Sequence, residues 1–477
     1  MPSASVPARA KQAYPTRDPR QWTWVEPSVW TERMLAALVD GVKGGKWYSL
    51  WDKVCARGTL EASWDRVREN NGAAGLDGVS VERFAAQAGR YLDELERELK
   101  AGRYSPCGVR RTYIAKRDGG RRPLGIPAVK DRIVQGALKR VLEPIFEWEF
   151  RDTSYGFRPG RGCKDALREV DGWLKEGYTW VVDADLASYF DSISHQGLMD
   201  ELGERISDGA VLELIERYLG QEIFDDLKHW TPTQGTPQGA VLSPLLANLY
   251  LHPLDRLMNA EGHRIVRYAD DFVVLCASEQ EAQAALTKVR TWAEARGLRL
   301  HPDKTHLGDC RQRGQGFQFL GYRFEAGRRW VRKTSLTALK DKIRSKTGRS
   351  RGASLAQIVA DLNPMLRGWF GYFKHAHRNV FPGIDGFVRR RLRAILRRHD
   401  RRTGGLGKSL GDHLRWPNSF FAAYGLFTMT EAHALASRSR LGNNQLESRM
   451  RNVAPTVMWR FRKPPPSMLP GDHLSAT

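Results

Sequence analysis

The sequence predicts an α+β fold on three observations: a hairpin signal in its first quarter, two very apolar strands that meet at a pair of acids, and helix-patterned segments between and after them. Residues 21–60 are rich in tryptophan (Trp22, Trp24, Trp30, Trp47, Trp51) and predict one or two short helices. From 81 to 100, Phe84, Tyr91, Leu92 and Leu95 share one face of a helix. RRTYIAK and RRPLGI flank the turn signal DGG at 118–120, which predicts a β-hairpin. A helix follows over 131–150, then a buried strand over 178–186 (YTWVVDADL), then a helix over 239–258. HRIVRYADDFVVLC (263–276) reads as two apolar strands joined at their acidic middle. A helix over 279–296 and the strand-like GFQFLGYRF close a unit running from about 61 to 324.

The chain has 477 residues, and 76 Lys+Arg against 54 Asp+Glu give a formal charge of +22. With a pI near 9.9, its natural partner is a polyanion. Hydrophobic residues at 41% exclude wholesale disorder and, with the length, suggest roughly two to four domains. A mean hydropathy of -0.51 and the lack of a long apolar run exclude a membrane-spanning helix. Five cysteines (Cys55, Cys107, Cys163, Cys276, Cys310) form no CxxC pair, so neither a disulfide framework nor a cysteine-ligated zinc is expected. The first 20 residues have no apolar core of a secretory signal; a basic start poor in acids fits a transit peptide, and the preferred reading is a disordered tail of a cytoplasmic protein.

The charge is unevenly spread. Residues 321–405 hold 22 Lys/Arg against 5 Asp/Glu, a local excess of 17. Within them Val388, Leu392, Ile395 and Leu396 recur at helical spacing while arginines fill the other positions, so one helix carries an apolar stripe and a basic face. Trp369, Phe370, Tyr372 and Phe373 have the density of a buried stripe. The basic residues beside them are the candidates for phosphate contact.

Asp270 and Asp271 sit between the runs RIV and FVVLC. Two acids at a hairpin turn are by themselves an ordinary turn signal. A second acidic site changes that reading, because Asp183 and Asp185 end another very apolar strand. Crowded carboxylates repel and make sense beside a divalent cation. Oxygen-only ligands suit Mg2+, and two such ions roughly 3.5 to 4 Å apart can activate a hydroxyl and stabilise a leaving oxygen. The set reads as a nucleotidyl-transfer site.

RYADDFVVL resembles the YxDD signature of reverse transcriptases, and DLASYFD (185–191) their first metal-binding motif. NNGAAGLDG, RRPLGIP, SYGFRPGRGCKDAL, GTPQGAVLSPLLANLYL, LHPDKT and FLGY follow the order of the group II intron-encoded reverse transcriptase and maturase family. LNPMLRGWFGYFK (362–374) resembles that family's maturase, or X, segment. The resemblance covers roughly residues 61–402. It implies a right-hand polymerase, with fingers and an antiparallel palm sheet, followed by an α-helical thumb and X domain. The expected organisation is an N-terminal extension over 1–60, fingers and palm over 61–324, thumb and X over 335–402, and a small nucleic-acid-binding or accessory region over 403–477.

The resemblance further implies that Asp185, Asp270 and Asp271, with the Leu186 carbonyl, hold two Mg2+ ions. Phe190 would lie against the sugar of the incoming nucleotide and exclude a 2′ hydroxyl; its other reading is a core phenylalanine. Lys116 and Arg122, flanking the DGG turn, would reach the triphosphate. Gln238 and Gly239 would meet the nucleotide and template, and Lys304 would assist the departing pyrophosphate. Arg367, Lys374, Arg389, Arg390, Arg391, Arg393, Arg397 and Arg398 are the expected RNA contacts. The expected partners are group II intron RNA, an RNA template with a DNA primer, target DNA and dNTPs, with no membrane, in a cytoplasmic ribonucleoprotein that associates with the nucleoid when acting on DNA. Ala187, Ser188 and Ala240 depart from common family residues without removing a metal ligand. The cysteine and histidine pairs of the endonuclease domain that many relatives carry are not expected here, so the primer would come from elsewhere. The activity implied is RNA-directed DNA polymerisation with help to intron splicing in support of retromobility. The alternatives are a splicing maturase with a vestigial polymerase and a domesticated or defence-associated reverse transcriptase.

Overall fold

A computed structural model describes residues 22–42, 44–115, 120–348, 352–400, 407 and 409–441, the last four as backbone only. Contacts divide the chain into one unit ending at Asp309 and a second beginning at Cys310.

In the first unit, β1 (Val109–Ala115) and β2 (Arg121–Ile126) form the expected hairpin, with Ala115 opposite Arg121. Its turn, with Lys116, lies outside the described residues. Pro123 is tolerated because β2 is an edge strand, where a missing amide breaks no ladder. β3 (Trp180–Asp185) follows, then a small hairpin of β4 (Ile223–Asp225) and β5 (Lys228–Trp230), which joins the first sheet through a parallel pairing of β1 with β4. That sheet runs β2-β1-β4-β5. The second sheet is wholly antiparallel and runs β6-β7-β3-β8, from β6 (Arg264–Tyr268), β7 (Asp271–Cys276) and β8 (His306–Asp309). Val181, Val182, Ala184 and Phe272 to Cys276 are all buried, as expected of central strands covered on both faces.

The helix Val129–Glu149 is apolar on most of its circumference and runs through the core, with Val134, Leu138, Val141 and Leu142 fully buried. The helix Arg57–Asn70 packs along it, and Trp30 Nε1 donates to the Arg140 carbonyl at 3.1 Å. Residues 22–60 therefore share the first unit's core, and the expected boundary at 60 falls inside a helix. The single helix expected over 81–100 is broken at Gln87, between Val81–Ala86 and Ala88–Lys100. The helix expected from 239 begins at Ser243, because Gly239 takes a left-handed φ of 105°. Asp131, wholly buried, accepts hydrogen bonds from Tyr104 Oη at 2.6 Å and the Cys107 amide at 3.0 Å, and Tyr104 Oη also meets Tyr218 Oη at 2.7 Å.

The second unit opens with a three-stranded antiparallel sheet of β9 (Phe317–Phe319), β10 (Tyr322–Glu325) and β11 (Arg328–Val331). GFQFLGYRF thus belongs to this unit rather than closing the first. Tyr322 Oη donates to the Tyr372 carbonyl and Tyr372 Oη to the Leu320 carbonyl, fastening the sheet to the helix Leu355–Phe373. Helices Lys333–Lys346 and Val380–His399 complete the bundle. The described residues beyond 403 are not a separate domain. Helix Met429–Leu441 packs on Val380–His399, and buried Asp385 caps it by accepting from the amides of Met429 at 3.0 Å and Thr430 at 2.9 Å.

Candidate active site

The pairing of β3 with β7 sets Asp185 directly opposite Asp271, and Asp271 also faces Tyr268 across its own hairpin. Directly opposed residues in an antiparallel pair lie about 4.5–5.5 Å apart at Cα. Two carboxylates therefore face each other at the end of the sheet, with Asp270 at the turn beside them. Asp183 lies two residues back on the same face as Asp185. Leu186 forms a bridge with Leu300 flanked by bonds from the Ala187 amide to the Arg299 carbonyl and from the His301 amide to the Asp185 carbonyl. In a bridge of this kind a residue's own amide groups point away from its partner. The Leu186 carbonyl consequently points to the β7 side, where the aspartates are.

Charge is balanced unevenly around these acids. Lys304 Nζ lies 2.9 Å from Asp185 Oδ2. Burial pushes the Asp270 carboxyl above its usual range and the charge of Asp185 adds to this, opposed by a backbone hydrogen bond and by Arg122 and Arg267. Among the described residues no three His, Cys, Asp or Glu side chains converge as a ready-made metal cage. A few carboxylates completed by substrate phosphates are what Mg2+ ordinarily takes, so the donor set fits that ion.

The turn is held by residues that the sequence reading missed. Arg267, fully buried, pairs with fully buried Asp255, its Nε 2.8 Å from Oδ1. Its Nη1 donates to Asn248 Oδ1 at 3.0 Å and to the Ala269 carbonyl at 2.9 Å. Asn248 Nδ2 in turn donates to the Gly156 carbonyl at 2.7 Å. The Tyr155 amide donates to the Arg267 carbonyl and the Arg267 amide to the Thr153 carbonyl, so residues 153–155 run along the open edge of β6. A Cβ on Gly156 would stand 2.3 Å from the Ala269 nitrogen, which explains the glycine: two backbones touch there. Ala269 itself is left-handed, with φ of 60°. The signal that could have found Arg267 is a charged residue set inside an apolar strand, which demands a buried partner.

Two of the nucleotide-binding candidates are joined to each other, and one of them, Arg122, is near enough to Asp270 to lower its pKa. Arg122 Nε donates to Gln238 Oε1 at 2.7 Å, and the Gly125 amide donates to the Gln238 carbonyl at 2.6 Å. A Cβ on Gly239 would meet the Gly125 carbonyl oxygen at 2.7 Å, so glycine is required there. Phe190 is 7% exposed and lies edge-on to Phe157, whose own ring is exposed. The core reading of Phe190 therefore accounts for most of its surface.

Two family models match in tandem. Residues 114–324 match the reverse transcriptase (RNA-dependent DNA polymerase) family and residues 336–411 the group II intron maturase-specific domain. Protein YkfC of Escherichia coli is 33% identical over 349 residues, covering 63% of this chain and 85% of that protein. The chain belongs to the group II intron-encoded reverse transcriptase and maturase family. Group II intron-encoded protein LtrA of Lactococcus lactis is 37% identical over 199 residues, covering 41% of this chain and 33% of that protein. An uncharacterized 91 kDa protein in the cob intron of Schizosaccharomyces pombe is 28% identical over 388 residues, covering 63% of this chain and 47% of that protein. The chain thus spans most of YkfC and less than half of the other two.

Within the maturase domain the expected RNA contacts separate by exposure. Arg367 and Arg398 are exposed; Lys374, Arg389 and Arg390 are half-buried. Arg393 is a correction. It is 2% exposed, donates to the Trp416 carbonyl at 2.9 Å and Asn418 Oδ1 at 3.0 Å, and lies over the Phe421 ring. It clamps the helices after 409 to the long basic helix and cannot reach a phosphate. Arg391 donates to the Thr347 carbonyl at 2.6 Å, closing the end of helix Lys333–Lys346, and Arg397 pairs with buried Asp412 at 2.7 Å. Among the described residues no helix is long and apolar enough to cross a membrane.

Proposed function

We propose that this protein is an RNA-directed DNA polymerase that also binds and assists the splicing of its host group II intron RNA, and so supports retromobility. The observation that carries the polymerase reading is Asp185 opposite Asp271 with Asp270 at the adjoining turn. Asp185, Asp270, Asp271 and the Leu186 carbonyl would hold two Mg2+ ions, which activate the primer hydroxyl and stabilise the leaving oxygen when bound. Arg122, oriented by Gln238, meets the triphosphate of a dNTP with a planar fork of donors. Lys304, already beside Asp185, offers a mobile cation to the departing pyrophosphate. Phe190 bounds the sugar and selects deoxynucleotides by clash with a 2′ hydroxyl.

The maturase reading rests on the maturase-specific domain and its excess of arginine, suited to structured RNA that is recognised through backbone and shape. The same positive surface would meet target DNA.

Primer extension on an RNA template with Mg2+ and dNTPs, run beside a splicing assay on the flanking intron RNA, tests both parts. Asp270→Ala is expected to lower extension by roughly a thousandfold, the scale of losing one preorganised electrostatic group, while splicing assistance and RNA binding persist. Extension at the wild-type rate would remove the metal assignment. Splicing assistance from a wild-type protein that does not extend primers would leave a maturase with a vestigial polymerase.

A further inference from the structure

Among the described residues eight that are not glycine take a positive φ, and three of them belong to the candidate site: Ala269 at 60°, Ser188 at 48° and Phe157 at 60°. Such strain persists only where the surroundings impose it, and it clusters at functional sites. Ala269 precedes Asp270, and Ser188 opens the short helix that carries Phe190. Phe157 is the only aromatic residue of the eight, and a bulky side chain makes a left-handed backbone a genuine outlier. Its neighbours enforce it. Gly156 is pressed against the Ala269 amide, and its carbonyl accepts from Asn248. Arg158, 5% exposed, donates to Glu147 from Nε at 2.8 Å and from Nη2 at 2.7 Å, and from Nη1 to the Ser154 carbonyl at 2.6 Å. The chain is thus anchored on both sides of Phe157, yet its own ring is 44% exposed. A ring that leaves so much of itself in water offsets little of the strain by packing. The ring it meets is that of Phe190, edge-on with centroids 6.5 Å apart.

We propose that Phe157 sets the sugar selectivity of the polymerase by holding the Phe190 ring across the place of a 2′ hydroxyl. The proposal rests on the polymerase reading and deepens it. The Phe190 backbone is fixed by the Thr236 amide, which donates to its carbonyl at 2.8 Å. That bond does not fix χ1 or χ2, so the direction of the ring is set by its neighbours. Tyr189, edge-on at 5.6 Å, is 2% exposed and donates from its hydroxyl to the Ala247 carbonyl at 2.5 Å. Phe157 is the neighbour that solvent reaches. Without it the Phe190 ring gains room on its accessible side, and a ring that can lean away no longer excludes one extra oxygen. Phe157 is therefore a positioning residue that acts through Phe190. Its strained backbone is stability given up for a gate that does not yield.

The test uses the full chain on an RNA template with a DNA primer ended by a dideoxynucleotide, so that affinity for the next dNTP or rNTP is read from the stalled complex without extension. Phe157→Gly and Phe157→Asn accept a left-handed backbone. Both are expected to keep or raise the melting temperature while lowering the dNTP-to-rNTP affinity ratio about tenfold, the lower end for a small change of space in a pocket. Affinity for dNTP and for the primer and template should change less than a few-fold. Phe190→Ala should lower the ratio as far or further, and adding Phe157→Gly to it should change nothing more. A wild-type ratio of one, an unchanged ratio in both Phe157 variants, or losses that multiply in the double variant overturn the proposal. So does a ratio that falls in the Phe157 variants but not in Phe190→Ala, which removes the route through Phe190. A lower melting temperature in both Phe157 variants would make the ring a packing residue and overturn it likewise. A wild-type protein that extends no primer bearing a 3′ hydroxyl defeats the polymerase reading, while the stalled complex, a binding measurement, still decides the role of Phe157.

Discussion

Asp131 shows how a single buried carboxyl outside the candidate metal site sets a pH dependence. Burial lifts its pKa from 3.8 to about 6 against the pull of its hydrogen bonds to Tyr104 and Cys107. Between those values the native state keeps a proton that the unfolded chain has released. Stability therefore declines as pH rises from about 4 to about 6, by on the order of 3 kcal/mol from this group. Asp131→Asn carries no titratable proton, and its stability in urea melts over that window is expected to vary less steeply with pH than the wild type's. Parallel curves for the two proteins would mean that Asp131 titrates as it does in the unfolded chain. Asp270, also lifted by burial, belongs to the same class of acid, but its cost is set against function. The sequence displayed Asp270 plainly, because it stands beside Asp271 in a motif. It concealed Asp131, an acid in a helix that nothing in the local pattern marks as buried.

At the scale of elements, the β6–β7 hairpin that carries Asp270 depends on a segment remote in sequence. Residues 153–156 lie against β6 and the Ala269 turn, and Gly156 leaves no gap for a side chain. Gly156→Ala must displace the turn by forcing a Cβ against the Ala269 amide. The expected result is a ten- to hundredfold lower single-turnover extension rate, the scale of a roughly 1 Å misplacement, with a destabilisation of about 1–3 kcal/mol from overpacking. Gly172→Ala is the matched control, because a Cβ there meets nothing within 4 Å and its helix interior favours alanine. Equal extension rates in the two variants would show that the turn adapts without loss. Strands β1 and β2 were legible from the DGG turn signal between them, and β3, β6 and β7 from their short apolar runs beside the paired acids. The β4–β5 hairpin was not, since three-residue strands give too few positions for an alternation to register. The break at Gln87 was equally silent, as the apolar spacing continues on both sides of it.

Over the whole molecule, the charge of +22 is a poor measure of the surface offered to nucleic acid. Arg267 is spent on Asp255, Arg158 on Glu147, and Arg393 on a carbonyl and an amide. Arg393→Ala is expected to destabilise the second unit by about 2–4 kcal/mol, by leaving the Trp416 carbonyl and Asn418 without their partner, and to leave the salt slope of RNA binding unchanged. Arg367→Ala and Arg398→Ala, at exposed positions, should each flatten that slope by up to about 0.9 at an unaltered melting temperature. Titrations of intron RNA over a range of salt separate the two groups. If Arg393→Ala alone flattened the slope, the buried and exposed classes would be reversed. Sequence spacing placed all three on one basic segment. Only the helices packed after 409 decide which face is covered, and the sequence holds no local sign of that packing.

The order β6-β7-β3-β8 has a consequence for biosynthesis. β3 occupies the middle of its sheet, yet both of its neighbours are translated long after it. At roughly 5–20 residues per second it waits for several seconds on the ribosome as an apolar strand with two open edges, the condition in which strands recruit one another. A nascent chain stalled before β7 therefore carries its most adhesive segment uncovered. Asp183 and Asp185, the second of them a proposed metal ligand, serve during that interval as the only charges on the strand and keep it in solution.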